Sequence, residues 1–412
     1  MKLSSKNTRI LILMLLPVFA IGSNRLPGIK IPGIGTMFPL RIIALLYGVI
    51  FLLEKQHYAL YNKTKTKLMG LWGYGIISLV WSISLSKGIQ GEIIYLTSIF
   101  TVFLVLYLVK DVSDVILICR ITTLVALLIG VMGVYESVTG KAFLVTKERY
   151  ELWWVTNYFG WKYPHVLFYN TNDFATFMVA IMPILCIAVE KLRHKMLLRY
   201  AGVLFCSFCV FLTDSRLGII LCAVFFLWIL PKKNFSGIIG GSVVLAVILL
   251  LIRRYWFFLS GGFNDIASIS LGEERRIPIW GNAIRNTIRT WGFGVGVGNS
   301  AIANEKFCYY FTGGIFEVHN YFLEVLEDFG LFGLGCIVSW CFMIFKRLWP
   351  FRKEEKAKFF FSFMVLYCFL TTCSSSLRQS YYLWLFLGLV ISYIKLCDQN
   401  NEKGYNYGES LS

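Results

Sequence analysis

The strongest constraint on this chain is the recurrence of uninterrupted apolar runs. They fall near residues 10–22, 38–53, 68–86, 91–109, 115–135, 172–189, 197–213, 216–230, 236–256, 329–345, 358–372 and 380–396. A helix that crosses a bilayer needs ~20 predominantly apolar residues, because its backbone polar groups must be satisfied within the segment itself. Composition agrees. The chain is 57% hydrophobic and 15% charged, where soluble chains carry roughly 45–50% and about 25%. A transmembrane β-barrel is excluded because the runs are continuous rather than alternating. The predicted fold is all-α, a polytopic transmembrane helical bundle of about twelve spans with a large outer loop carrying short amphipathic helices.

The formal net charge of +17 does not imply nucleic acid. Lys and Arg collect in cytoplasmic loops by the positive-inside rule. With the N-terminus inside, Lys55, Lys63, Lys65 and Lys67 fall in such loops, as do Lys191, Arg193, Lys195 and Arg199. Lys232 and Lys233 follow the same rule, as do Lys346, Arg347, Arg352, Lys353, Lys356 and Lys358. Outer loops hold single charges such as Lys87, Arg216 and Arg378. Both termini are thereby predicted to be cytoplasmic. Cys206 and Cys209 form a CxxC in the middle of a span, where small apolar filler is the better reading than redox or zinc chemistry. Cys308 and Cys373 fall in outer loops and can pair, though nothing in the spacing requires it.

Four regions follow from this pass: 1–171 with the first spans and first long outer loop, 172–256 with the central spans, 257–328 as a large extracytoplasmic loop, and 329–412 with the last spans and a cytoplasmic tail. Long loops usually carry function. In the large one, Ile277, Trp280, Ile284, Ile288 and Trp291 recur at helical spacing, with Asn282, Arg285, Asn286 and Arg289 opposite. Pro278 suits a first turn and Gly292 a stop, so an amphipathic helix on the outer membrane surface is predicted. A second such helix is read in HNYFLEVLEDFG, with Phe322, Leu323, Val325, Leu326 and Phe329 on one face. Asn320, Glu324, Glu327 and Asp328 occupy the other, and the deeper span begins near Phe329. GVGVGN at 294–299 lacks the Lys-Ser/Thr of a P-loop, and reads as a tight turn whose amides face an anion. The aromatic stretch at 150–163 reads equally as a sugar-stacking surface or an interfacial belt.

The ionisable residues near the outer face are the candidates for chemistry. Arg216 opens the eighth span with Asp214 two residues before it, Arg275 and Arg276 open the loop helix, and His319 closes the loop. Guanidinium groups bind phosphate oxygens through paired hydrogen bonds, and a histidine takes a hydroxyl proton near neutral pH. The same residues also fit a plainer role, with arginines anchored to lipid headgroups and His319 capping a helix. No cluster has metal-ligand spacing and no outer carboxylate pair suits a divalent ion, so neither metal nor cofactor is expected.

Four segments occur together in one order. They are NTNDFATFMVAIMPIL at 170–185, TDSRLGIILCAV at 213–224, RIPIW at 276–280 followed by GFGVGVGNS at 292–300, and HNYFLEVLEDFGLFGL at 319–334. In this the chain resembles the O-antigen ligase/polymerase family of bacterial lipid-linked polysaccharide enzymes. The family's Asn-Pro-Asn stands here as Asn170-Thr171-Asn172. The resemblance implies a metal-independent, inverting glycosyltransferase in the bacterial plasma membrane, with its active site on the outer face. Its donor would be an undecaprenyl-pyrophosphate-linked glycan and its acceptor a second glycan, with a flippase and a chain-length regulator as partners and no nucleic acid. His319 would activate the acceptor hydroxyl. Arg216 and either Arg276 or Arg275 would bind the donor pyrophosphate, with Asp214, Asn172, Asn320 and Trp280 in support. Polymerisation of repeat units is the first reading. Ligation of finished glycan to lipid A core, wall polymer or protein is the second, and a lipid-linked oligosaccharide flippase the third.

Overall fold

The computed structural model describes residues 6–31, 35–54, 58–142, 161–168, 170–230, 276–312, 314, 316–372 and 378–409, with side chains described to residue 400. The predicted span at 236–256, Arg275, Cys373 and most of the aromatic stretch at 150–163 lie outside these residues.

Helix α1 (Lys6–Gly22) leads into a hairpin of β1 (Ile29–Ile31) and β2 (Gly35–Met37), then α2 (Pro39–Leu53), α3 (Ala59–Ser78), α4 (Leu85–Leu108) and α5 (Val112–Thr139). After the first long loop come α6 (Thr171–Ala188), α7 (Lys195–Leu212) and α8 (Arg216–Ile229). The second loop carries α9 (Arg276–Arg289) and the short α10 (Ser300–Lys306). Helices α11 (Tyr321–Leu348), α12 (Glu355–Leu370) and α13 (Tyr381–Glu409) close the chain. Among the described residues, six helices are long and apolar enough to cross a membrane: α4, α5, α6, α7, α11 and α13. Helices α2 and α8 are shorter apolar helices. Basic residues Lys63, Lys65 and Lys67, expected in a loop, lie in the first turns of α3, which starts about nine residues before the apolar run. The early turns of α3 bury Leu60, Tyr61 and Thr64 and expose Asn62, Lys63 and Thr66, and Lys65 Nζ reaches the Leu52 carbonyl (2.7 Å).

Helices α4, α6 and α13 form the interior. Helix α4 packs between α2 and α13, α6 packs against α5, α7 and α12, and α11 lies against α3. Cys206 and Cys209 are buried in α7 as small apolar side chains.

The two ends of the bundle differ. At one end acids and bases pair. Glu355 accepts from Lys195 Nζ (3.0 Å) and Arg199 Nη1 (2.5 Å), Lys356 pairs with Glu190 (2.8 Å), and Arg9 pairs with Asp114. At the other end loops lock onto helices. Trp81 Nε1 donates to the Gly294 carbonyl (3.0 Å), the Ser84 amide to Asn299 Oδ1 (2.8 Å), and Ser98 Oγ to the Arg378 carbonyl (2.9 Å). All five non-glycine residues with positive φ among the described residues (Ser23, Val166, Asp214, Trp291 and His319) sit at this loop-rich end. Such conformations cost about 1–3 kcal/mol each and gather where surrounding structure holds functional groups in place.

Candidate functional site

Helix α9 is built inside out by soluble standards. Ile277, Ile284, Ile288 and Trp291 are exposed, while Asn282 and Asn286 are completely buried. An apolar face left outward suits the headgroup boundary of a membrane. The buried asparagines hold the helix to the rest of the loop. Asn282 exchanges hydrogen bonds with the backbone of Tyr310 (2.8 and 2.9 Å), and Asn286 Nδ2 donates to Glu327 Oε1 (2.8 Å). Arg285 and Arg289, predicted on the polar face, are exposed and lie over the rings of Tyr310 and Phe307.

The second predicted amphipathic helix is the first part of α11, and its polar face is not solvated. Glu324, Glu327 and Asp328 are all buried. Glu327 is held by Asn286 and by Asn304 Nδ2 (3.2 Å). Arg378 approaches Glu324 (3.3 Å) and Asp328 (3.7 Å). The glycine-rich turn does face an anion, but one belonging to this chain. The amides of Gly298 (2.9 Å), Asn299 (3.1 Å) and Ser300 (2.9 Å) all donate to the Asp328 carboxylate.

A latch follows from this. The Val295 and Gly296 amides donate to the Glu327 and Asp328 carbonyls, and the Leu331 amide to that of Gly292. Helix α11 breaks at Gly330 (φ 65°, ψ −161°), one residue from the expected start of the deeper span. A Cβ on Gly330 would stand 2.0 Å from the Gly292 carbonyl oxygen, and one on Gly294 2.5 Å from the Gly330 nitrogen. The two backbones touch only because both residues are glycine.

This latch places Arg276 and His319. The end of α12 receives Arg276 and the start of α11: Arg276 Nη1 donates to the Thr372 carbonyl (2.8 Å), and the Tyr321 amide, two residues after His319, to that of Thr371 (3.0 Å). Trp280 Nε1 donates to the Val318 carbonyl (3.1 Å), tying α9 to the residue before His319. His319 is in the left-handed region (φ 53°), and its Nδ1 is buried without a hydrogen bond among the described residues. Burial first, and the Arg276 guanidinium second, hold the imidazole below its ordinary 6.5, with Glu317 opposing. The ring is therefore a neutral acceptor at physiological pH. It is not the helix cap, because Asn320 Oδ1 takes that role by accepting from the Leu323 amide (3.1 Å).

The remaining sequence candidates stand on neighbouring elements at the same end. Arg216 is the exposed first residue of α8, after Asp214, whose backbone is left-handed and whose carboxylate meets Tyr163 Oη (3.5 Å). Helix α8 packs on α6, α7 and α12, and α12 runs directly to Thr371 and Thr372. Asn172 lies in the first turn of α6, which Asn170 caps through the Asp173 amide (2.8 Å). The sequence reading missed Arg378 as a participant, because a single arginine in a short loop gives no sign of the acids it will meet.

Residues 201–338 match the family model described as O-Antigen ligase. The chain is also 24% identical, over 354 residues, to the teichuronic acid biosynthesis protein TuaE of Bacillus subtilis (strain 168), covering 80% of this chain and 71% of that one. The matched stretch contains Arg216, Arg276, the glycine turn, His319 and the break in α11.

Proposed function

The chain is a member of the O-antigen ligase/polymerase family, and on that premise we propose that it polymerises undecaprenyl-pyrophosphate-linked oligosaccharide repeat units at the outer face of the plasma membrane. Membership and the six apolar helices make it a multi-pass membrane protein of polysaccharide biosynthesis. About twelve spans, both termini inside and the loop-rich end outside complete the reading. It is supported by the ion-paired end, which carries the basic residues that the positive-inside rule assigns to the cytoplasm.

The carrying observation is a half-buried imidazole whose Nδ1 is enclosed without a hydrogen bond among the described residues, beside a fixed guanidinium: His319 with Arg276. In the proposed reaction an acceptor sugar hydroxyl gives its proton to His319 and its oxygen attacks the anomeric carbon of the donor. The bond from that carbon to the phosphate oxygen breaks, and undecaprenyl pyrophosphate departs with the electron pair. Attack opposite the leaving group inverts the anomeric centre. Arg276 and Arg216 stabilise the charge that develops on the pyrophosphate, as preorganised donors do without reorganising at the moment of reaction. The arginines supply the positive charge that a divalent ion supplies in other glycosyl transfers.

Purified protein given a synthetic lipid-pyrophosphate repeat unit should build a ladder of products in EDTA. A single transfer to a non-repeat acceptor would make it a ligase. Loss of all transfer in EDTA, with rescue by magnesium, would remove the arginine mechanism.

The pH profile has a fixed sign. His319 acts in its neutral form and its pKa is lowered, so kcat/KM should be flat at neutral pH and fall only as pH drops through a value below 6.5. Arg276→Gln removes the cation that helps lower it, so the acid limb of its residual activity should move upward. A limb in Arg276→Gln at the wild-type position would separate the two residues electrostatically.

A further inference from the structure

At the loop-rich end lies a polar cleft of about 250 Å³ whose walls include Thr36, Phe38, Arg41, Gln90, Gln379 and Tyr381. Its charged group is Arg41, which is only 6% exposed. The guanidinium donates to Thr97 Oγ1 (3.2 Å), the Thr36 carbonyl (2.8 Å) and Tyr381 Oη (3.5 Å), and lies over the Phe38 ring. Every one of these partners is neutral. No ion pair to Arg41 occurs among the described residues, and the adjoining segments 32–34 and 373–377 contain no Asp or Glu.

A buried charge is normally paired, because leaving water costs more than neutral contacts return. Arg41 also sits in the first turn of α2, where the helix dipole disfavours a cation. Both effects are relieved by an anion in the cleft. The rest of the lining narrows the choice. One guanidinium suits a single carboxylate, whereas pyrophosphate calls for several cations. Gln90 and Gln379 offer neutral hydrogen bonds of the kind sugar hydroxyls use, and the room suits one sugar ring.

We propose that this cleft binds a carboxylate-bearing sugar, a hexuronate, of the glycan substrate, with Arg41 as the residue that selects the acid over its neutral counterpart. The identification of the ligand as a glycan rests on the polymerase reading above. The competing source of an oxyanion is the lipid phosphate.

The test uses the full-length protein in nanodiscs and saturation-transfer NMR with methyl glucuronoside, methyl glucoside and undecaprenyl phosphate as separate probes. The glucuronoside should bind at least about tenfold more tightly than the glucoside, as expected for one charge-assisted contact. Arg41→Gln should abolish that preference. Gln379→Glu should do the same by placing a carboxylate beside Arg41, and its exposed position protects folding. Arg276→Gln should leave the preference intact while weakening undecaprenyl phosphate. Equal binding of the two sugars, or a preference that survives both cleft variants, would overturn the proposal. Undecaprenyl phosphate binding that depends on Arg41, without any preference among the sugars, would overturn it in favour of the lipid phosphate. An Arg41-dependent preference in a protein that transfers no glycan would uphold the cleft and remove the polymerase reading instead.

Discussion

Replacing His319 with alanine should lower turnover by ~10²–10⁴-fold, the usual worth of a positioned proton acceptor, while donor affinity changes little. The split follows from where each interaction forms. Proton transfer strengthens only in the transition state, so its loss appears in kcat. Pyrophosphate is already charged when it binds, so losses at Arg276 or Arg216 should appear partly in donor affinity. The imidazole's surroundings make the prediction asymmetric. Burial and Arg276 keep the ring neutral, and its left-handed backbone aims it from the residue just before the helix cap. Asparagine tolerates that backbone well, so His319→Asn retains the local conformation and removes only the base. Steady-state transfer by purified variants, with donor binding measured separately, checks both halves. A His319→Asn variant whose defect lies entirely in donor affinity would place the histidine in binding rather than catalysis.

The second large effect is remote from the chemistry. Gly330→Ala should release the loop from α11 and cut transfer by roughly 10²-fold, the scale on which a misplaced catalytic group loses rate. The backbone at Gly330 costs about 1–3 kcal/mol for any other residue, and the added carbon meets the Gly292 carbonyl oxygen at 2.0 Å. Neither atom can yield without separating residues 292–299 from residues 327–331. That loop fixes the end of α9, and α9 carries Arg276. Gly335→Ala is the control, because it lies in the same helix with nothing within 4 Å of an added Cβ. It should be neutral or stabilising by about 0.5–1 kcal/mol. Thermal unfolding in detergent should show a lowered midpoint for Gly330→Ala alone, and equal midpoints for the two variants would contradict the latch.

Six of the expected apolar spans and the start of the deeper one near residue 329 were legible because apolar runs are local signals. Helix α9 was legible for the same reason, from Pro278 at its start to Gly292 past its end. Its buried face was not. A periodic pattern shows that two faces differ, but not which one meets protein, and here Asn282 and Asn286 turn inward against Tyr310 and Glu327. The acids of α11 posed the same problem. Glu324, Glu327 and Asp328 read as a solvated stripe because their partners (Arg378, Asn286, Asn304 and the glycine-turn amides) are distant in sequence. The anion expected at the glycine turn was identified in kind but not in source, since a carboxylate 30 residues away leaves no local mark. Arg41 went unnoticed inside an apolar run, where its neutral partners are set entirely by packing.

His319 and Arg276 are the centre of the account, and polymer yield and length from a deletion strain complemented at matched membrane levels test them together. Little polymer is expected from His319→Asn and from Arg276→Lys, because asparagine supplies no base and lysine offers a point charge where a planar fork is needed. Near-normal polymer from both variants would contradict the account, and would leave the pair with purely structural roles.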